Sequence, residues 1–427
     1  VDVAGGELLR LFVFAAALRL CGGAAALLHP SCRLVGDLAA GALLGPSGLD
    51  LLPFSESVVL FGMMGVILLV AAGGLEADVQ TLAANGARVV GGAVTGVTLP
   101  FISTAVFLLA IGEHWQSAVV GGAVLASTSA AVALAILEGR MHTRLAQLVS
   151  GSAMLDDVCA LVLLALVSAL ASSNISAVAL ALPVVSSCLL ITLSLTVWRL
   201  LPEAYGLLEK YIGEHRARPC ALLLLLGWTA LSALGAPLAG SSALLGAFCA
   251  GLAFAAIPPV QEEWKEDVLP VQAVLERLFF SSVGFELPLA TLLDPWVLLW
   301  GSLLTVAATV TKLAVGLYGL PDRRLAAAWG VSMVARGELG MVIATAALQQ
   351  GLLSERAMAI VTVPVVVCTL AAPLPFAFLA ERVCEQQDAQ EECKESRGEQ
   401  EEEEEEKEKG EEKGEEKRLQ AEANSPV

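Results

Sequence analysis

The chain has 427 residues, 56% of them hydrophobic and 16% charged, with a mean hydropathy of +0.73. A soluble domain carries about 45–50% apolar and about 25% charged residues, so a water-soluble fold of this length has nowhere to bury so much apolar surface. The formal net charge is −18, of which −11 belongs to residues 381–427, and the absence of a basic stripe with interleaved aromatics excludes nucleic acid as a partner.

In chain order, apolar stretches near the ~20 residues needed to cross a bilayer recur from Glu7 to Ala380. They predict an all-α polytopic membrane protein, with the lipid bilayer as its surroundings. About thirteen transmembrane helices are expected, centred near residues 18, 42, 66, 100, 127, 158, 187, 227, 248, 280, 307, 337 and 367. An odd count puts the termini on opposite sides. With the N-terminus outside, Arg33, Arg88, Arg140, Arg144, Arg199, Lys210, Arg323 and Arg324 all fall in cytoplasmic loops while Arg356 stays outside, as the positive-inside rule requires.

The odd count also fits two inverted six-helix repeats joined by a linker helix over about residues 175–201. Spans 5 and 12 are then symmetry partners. Both are interrupted by small and polar residues, Ala126-Ser127-Thr128-Ser129 in one and Arg336-Gly337-Glu338-Leu339-Gly340 in the other, so broken helices crossing at the midplane are expected. Residues 1–380 make the transmembrane domain. Residues 381–427, with the run Glu401 to Glu406, have too few apolar groups to offset the entropy of ordering and are expected to form a disordered acidic cytoplasmic tail.

A charged side chain at the centre of a span costs about 2.5–3.5 kcal/mol on insertion scales, so each needs a partner or a task. Asp156 and Asp157 sit side by side in the middle of span 6. Successive helix residues point about 100° apart, so one carboxylate can meet a basic group on a neighbouring helix while the other faces a cavity. Lys312 in span 11 is the available basic group. A desolvated carboxylate with an acidic neighbour can bind a proton near neutral pH, and a bare cation competes for the same oxygens. If only occupied forms cross between inward and outward states, that competition is antiport. Hydroxyls and freed carbonyls at Ser127, Thr128 and Ser129 can add oxygen ligands, and Arg336 and Glu338, two residues apart, line the second break or pair elsewhere. Glu276, Arg277, Glu286 and Asp37 are read as tying spans 10 and 2 to their neighbours.

No G-x-x-x-x-G-K-S/T loop is present, which argues against a built-in ATPase. The nine cysteines are scattered without a C-x-x-C pair, which speaks against a disulfide scaffold or a zinc site. No enzyme activity and no cofactor are expected, only transported Na+ (or Li+) or K+ and protons. A gated cation channel remains an alternative, since a channel conducts without counter-transported protons.

Six segments taken together, Gly36-Asp37 to Gly48-Leu49, Gly74-Leu75-Glu76-Ala77-Asp78, Thr128-Ser129, Leu155-Asp156-Asp157-Val158, Phe279-Phe280-Ser281-Ser282-Val283-Gly284 and Ala335-Arg336-Gly337-Glu338, resemble the monovalent cation:proton antiporter family. The similar branch includes bacterial electrogenic Na+/H+ antiporters and glutathione-gated K+ efflux systems. The resemblance implies a homodimer in which a core (about residues 86–172 and 296–380) moves like an elevator against a dimerisation scaffold (about residues 5–80 and 217–290). It also implies that Asp157 carries cation and proton, that Asp156 is the partner of Lys312, and that Thr128 and Ser129 lie where the broken helices cross. An Asp-Asp pair is similar to the electrogenic Na+/H+ type, with K+/H+ exchange as the alternative.

Overall fold

The computed structural model describes residues 2–27, 32–46, 48–51, 56–80, 86–137, 140, 143–170, 177–287 and 289–387. The described residues form helices and no strand. In hydrocarbon there is no water to satisfy amides, so each segment must bond to itself, and the helix does this. The helices are α1 (Asp2–Ala26), α2 (Arg33–Leu44), α3 (Glu56–Leu75), α4 (Gly86–Ala110), α5 (Trp115–Ala126), α6 (Ala130–Ile136), α7 (Arg144–Leu170) and α8 (Ala177–Ile212). There follow α9 (Glu214–Leu238), α10 (Ala243–Phe254), α11 (Pro258–Phe285), α12 (Pro295–Gly319), α13 (Arg323–Ser332), α14 (Glu338–Gln349), α15 (Glu355–Ala371) and α16 (Pro373–Gln387).

Among the described residues, seven helices are long and apolar enough to cross a bilayer: α3, α4, α7, α8, α9, α11 and α12. The pair α15 and α16, bent by 41°, makes an eighth. The remaining apolar stretches are shorter: Phe12–Ala26 within α1, together with α2, α5, α10 and Leu339–Gln349 within α14. Leu189, Leu193, Leu223, Leu231 and Leu234 on α8 and α9 are between 54% and 74% exposed. A row of leucines facing outward is costly in water and natural against lipid tails.

The helices pack in two groups. Helices α2, α3, α10 and α11 interlock, with α1 against α2 and α9 against α10. Helices α4, α5, α7, α12, α14 and α15 form the second group, and α8 packs against α7, α9 and α10. Close backbone approach holds the first group together. Gly251 of α10 faces the Ala71 carbonyl of α3 so closely that no Cβ fits, which is how helices associate where no hydrophobic force separates protein from lipid. Arg277 of α11 reaches Asp37 of α2 at 3.9 Å, and Gln349 of α14 donates to Glu286 at 2.7 Å. These tie neighbouring helices, as expected for those residues.

Two boundaries differ from the sequence reading. The linker helix, expected to end near residue 201, continues to Ile212. The expected tail boundary at 381 falls inside α16, where Val383 and Cys384 are buried and Gln387 accepts from the Leu145 amide at 3.3 Å. Hydropathy marks where the chain turns polar, whereas Glu, Lys, Arg and Gln are good helix formers that carry a helix past that point. The expected disorder of residues 388–427 lies outside the described residues.

Candidate functional site

Two breaks meet at the centre of the second group. Between α5 and α6, Ser127 and Ser129 are extended (φ −65°, ψ 149° and φ −86°, ψ 99°). Between α13 and α14, Gly337 is extended as well (φ −107°, ψ 176°). A broken helix at membrane depth is tolerated only if its freed backbone groups find partners. Here the Ser129 amide donates to the Ala335 carbonyl of the other break at 2.9 Å. The Ser127 hydroxyl donates to Val124 O at 2.9 Å, and Thr369 of α15 donates to Arg336 O at 2.9 Å. The contact is close enough to need glycine, since a Cβ on Gly337 would lie 2.6 Å from Thr128 O.

Arg336 is 1% exposed, and its guanidinium bridges elements. It donates to the Leu125 carbonyl in the last turn of α5 and to Ala308 O of α12 at 2.7 Å. A fixed cation at the C-terminal end of a half-helix offsets its partial negative charge. Glu338 opens α14; its side chain lies outside what the structure describes.

The ionisable groups converge at the first break. Lys312 of α12 and Asp156 of α7 are both completely buried. The Lys312 ammonium donates to Asp156 Oδ2 at 2.6 Å and to Thr128 Oγ1 at 2.5 Å. Thr128 in turn donates to the same Oδ2 at 2.6 Å. Such a pair persists in a dry interior only because each charge is matched and hydrogen-bonded. Room for it comes from Gly96 on α4, where a Cβ would lie 3.6 Å from Lys312 Nζ and 3.7 Å from Asp156 Oδ1. Asp157, next on the helix, is half-buried. The two carboxylates are therefore unequal: one closed into an ion pair, the other with access from outside the packed interior.

Of the residues singled out from the sequence, Asp156, Lys312, Thr128 and Arg336 share one buried cluster, and Ser127, Ser129 and Glu338 mark the breaks that frame it. Sequence reasoning did not find the carbonyls that hold Arg336, since a carbonyl carries no residue signature. It also passed over Ser152, which is completely buried on α7 and whose spacing of four from Asp156 was readable.

Comparison with known proteins agrees with this geometry. The Na+/H+-K+ antiporter GerN of Bacillus cereus is 29% identical over 347 residues, covering 80% of this chain and 88% of the relative. The glutathione-regulated potassium-efflux protein KefC of Salmonella schwarzengrund is 28% identical over 368 residues, covering 82% of this chain and 58% of that longer protein. The solved sodium proton antiporter MjNhaP1 from Methanocaldococcus jannaschii superposes with a TM-score of 0.62 at 17% identity, over 90% of this chain and 99% of that one, which establishes likeness of fold. The family model for the transmembrane sodium/hydrogen exchanger matches residues 14–382, and the chain therefore belongs to the sodium/hydrogen exchanger family of monovalent cation:proton antiporters, multi-pass membrane transporters rather than enzymes.

Proposed function

We propose that this chain exchanges Na+, or Li+, for protons, with Asp157 as the group that carries cation and proton in turn. The observation that carries the reading is the inequality of the two adjacent carboxylates: Asp156 is neutralised by Lys312 and Thr128, and Asp157 keeps access. A proton and a bare cation exclude each other at the Asp157 oxygens. Hydroxyls and carbonyls at Ser127, Thr128 and Ser129, with partial charges at the half-helix ends, complete an oxygen-rich site beside it. The ions are cargo, and no cofactor takes part.

The same reading extends to architecture. About thirteen helices are arranged as two inverted repeats, with the N-terminus outside and the tail in the cytoplasm. The group containing α4, α7 and α12 is the moving core, the group containing α3, α10 and α11 is the scaffold of a homodimer, and the core moves as an elevator. Transport is electrogenic: when a cation draws Asp156 from Lys312, the lysine in a dry cavity releases a second proton.

K+/H+ exchange is the second reading, favoured by the naming of K+ for both GerN and KefC. The deciding experiment reconstitutes the protein in liposomes loaded with a pH dye and adds Na+, Li+ or K+ in turn. Proton flux with Na+ and Li+ supports the first reading and flux with K+ alone the second; conduction without proton counter-flux would make the chain a channel.

A further inference from the structure

Beside the ion pair lies a pair of polar atoms that the transport reading leaves idle. Asp156 uses Oδ2 for both of its donors, and its Oδ1 is buried with no hydrogen-bond partner. The Ser152 hydroxyl, completely buried, also has none. Residues four apart on a helix lie on one face with Cβ atoms about 5–6 Å apart, a span that a serine hydroxyl and an aspartate oxygen can close by side-chain rotation. Neighbouring packing keeps that face open. Gly151 is level with Val89 of α4, and Asp156 is level with Gly96, so Ser152 sits near the level of Gly92. Trp329 of α13 packs on Gly92, and its indole Nε1 is a third buried polar atom without a partner. Buried groups left unsatisfied in one state are expected to be satisfied in another, because each costs about 1–3 kcal/mol while unpaired.

We infer that Ser152 is a positioning residue for Asp156: its hydroxyl donates to Asp156 Oδ1 when Lys312 withdraws, so the carboxylate stays charged between Thr128 and Ser152. The inference rests on the antiport reading and deepens it, since it names the group that lets Lys312 leave. The charged and titratable groups around Asp156 are Lys312 from α12, Arg336 from the second break, and Asp157 and Cys159 on its own helix. Of these, Lys312 is the one bonded to Asp156, while the Arg336 guanidinium is committed to carbonyls. Departure of Lys312 therefore leaves Oδ2 with the Thr128 hydroxyl alone, and Ser152 supplies the missing donor.

Removing the hydroxyl destabilises only the state without Lys312, so proton release needs more alkaline conditions. For Ser152→Ala the pH profile of cation-driven proton flux should move to alkaline pH by about one unit, the size of one charged hydrogen bond, and Ser152→Thr should restore it. A merely structural serine predicts no such shift, because deleting an unsatisfied hydroxyl leaves the fold as stable or more so. A second readout needs no transport. The Asp156 carboxylate stretch, identified by its loss in Asp156→Asn, is followed by infrared difference spectroscopy against pH, and its midpoint should move in the same direction and by the same amount. Coincident midpoints in wild type and Ser152→Ala overturn the inference whether or not the protein exchanges ions. An unshifted flux profile in a wild type that exchanges overturns it too. A wild type without cation-driven proton flux counts against the antiport reading, and the infrared midpoints then decide the role of Ser152 alone.

Discussion

Lys312 holds its place through three short contacts among groups that no water reaches. Removing one partner of a buried pair leaves an uncompensated charge, at a cost of about 3–5 kcal/mol. Lys312→Ala should therefore lower the melting temperature in detergent sharply, while Lys312→Gln combined with Asp156→Asn, which removes both charges, should recover most of the loss. Equal melting of the single and double variants would mean that the pair contributes little to the fold. Asp157 stands apart from that ledger. Asp157→Asn should abolish cation-driven proton flux and leave melting within about 0.5 kcal/mol of wild type, the range of substitutions away from packed features; normal exchange by this variant would remove it from the carrier role.

At the scale of elements, the crossing depends on two backbones in contact. Gly337→Ala would put a Cβ 2.6 Å from Thr128 O and must push the breaks apart, at a cost of about 1–3 kcal/mol. Its initial exchange rate in liposomes should fall at least tenfold, since about 1.4 kcal/mol is a factor of ten. Gly206→Ala on α8 is the control. Nothing lies within 4 Å of its Cβ, so it should be neutral or stabilising by up to about 1 kcal/mol. Equal rates in the two variants would show that the close crossing does not control transport.

At the scale of the whole molecule, contacts between the two helix groups include the bond from Gln349 to Glu286. Burial raises the Glu286 carboxyl above its usual range, and the Gln349 amide works against that. A raised folded value means that Glu286 binds its proton more tightly in the folded state. Its contribution to stability is present at low pH and is lost as pH rises through the raised value. Glu286→Gln removes this term, so thermal melts from about pH 5 to about pH 8 should fall less steeply with pH in the variant than in wild type. A parallel pair of melting curves would assign the pH dependence elsewhere. The chain terminus is a second test. Truncation after Gln387 should leave folding and transport intact, whereas truncation after Ala380 removes Val383, Cys384 and the Gln387 contact to the start of α7 and should lower the melting temperature. Indistinguishable melting would show that the end of α16 is dispensable.

The membrane class, the approximate position of each apolar stretch and the interruptions at residues 127–129 and 336–340 were legible in the sequence, because hydropathy and charge report directly on the solvent each segment prefers. The presence of Lys312 also demanded a carboxylate partner, since an unpaired charge at that depth is too costly. Local spacing left two candidates, because Asp156 and Asp157 differ by one residue and face different neighbours. Only the packing of α7 against α4 and α12 brings Asp156, and not its neighbour, onto the lysine. The carbonyls that hold Arg336, the glycine contact between the two breaks and the unpartnered Ser152 hydroxyl were likewise decided by tertiary structure. They depend on distances between segments far apart in the chain, and a sequence records the groups that need partners without recording where the fold brings them together.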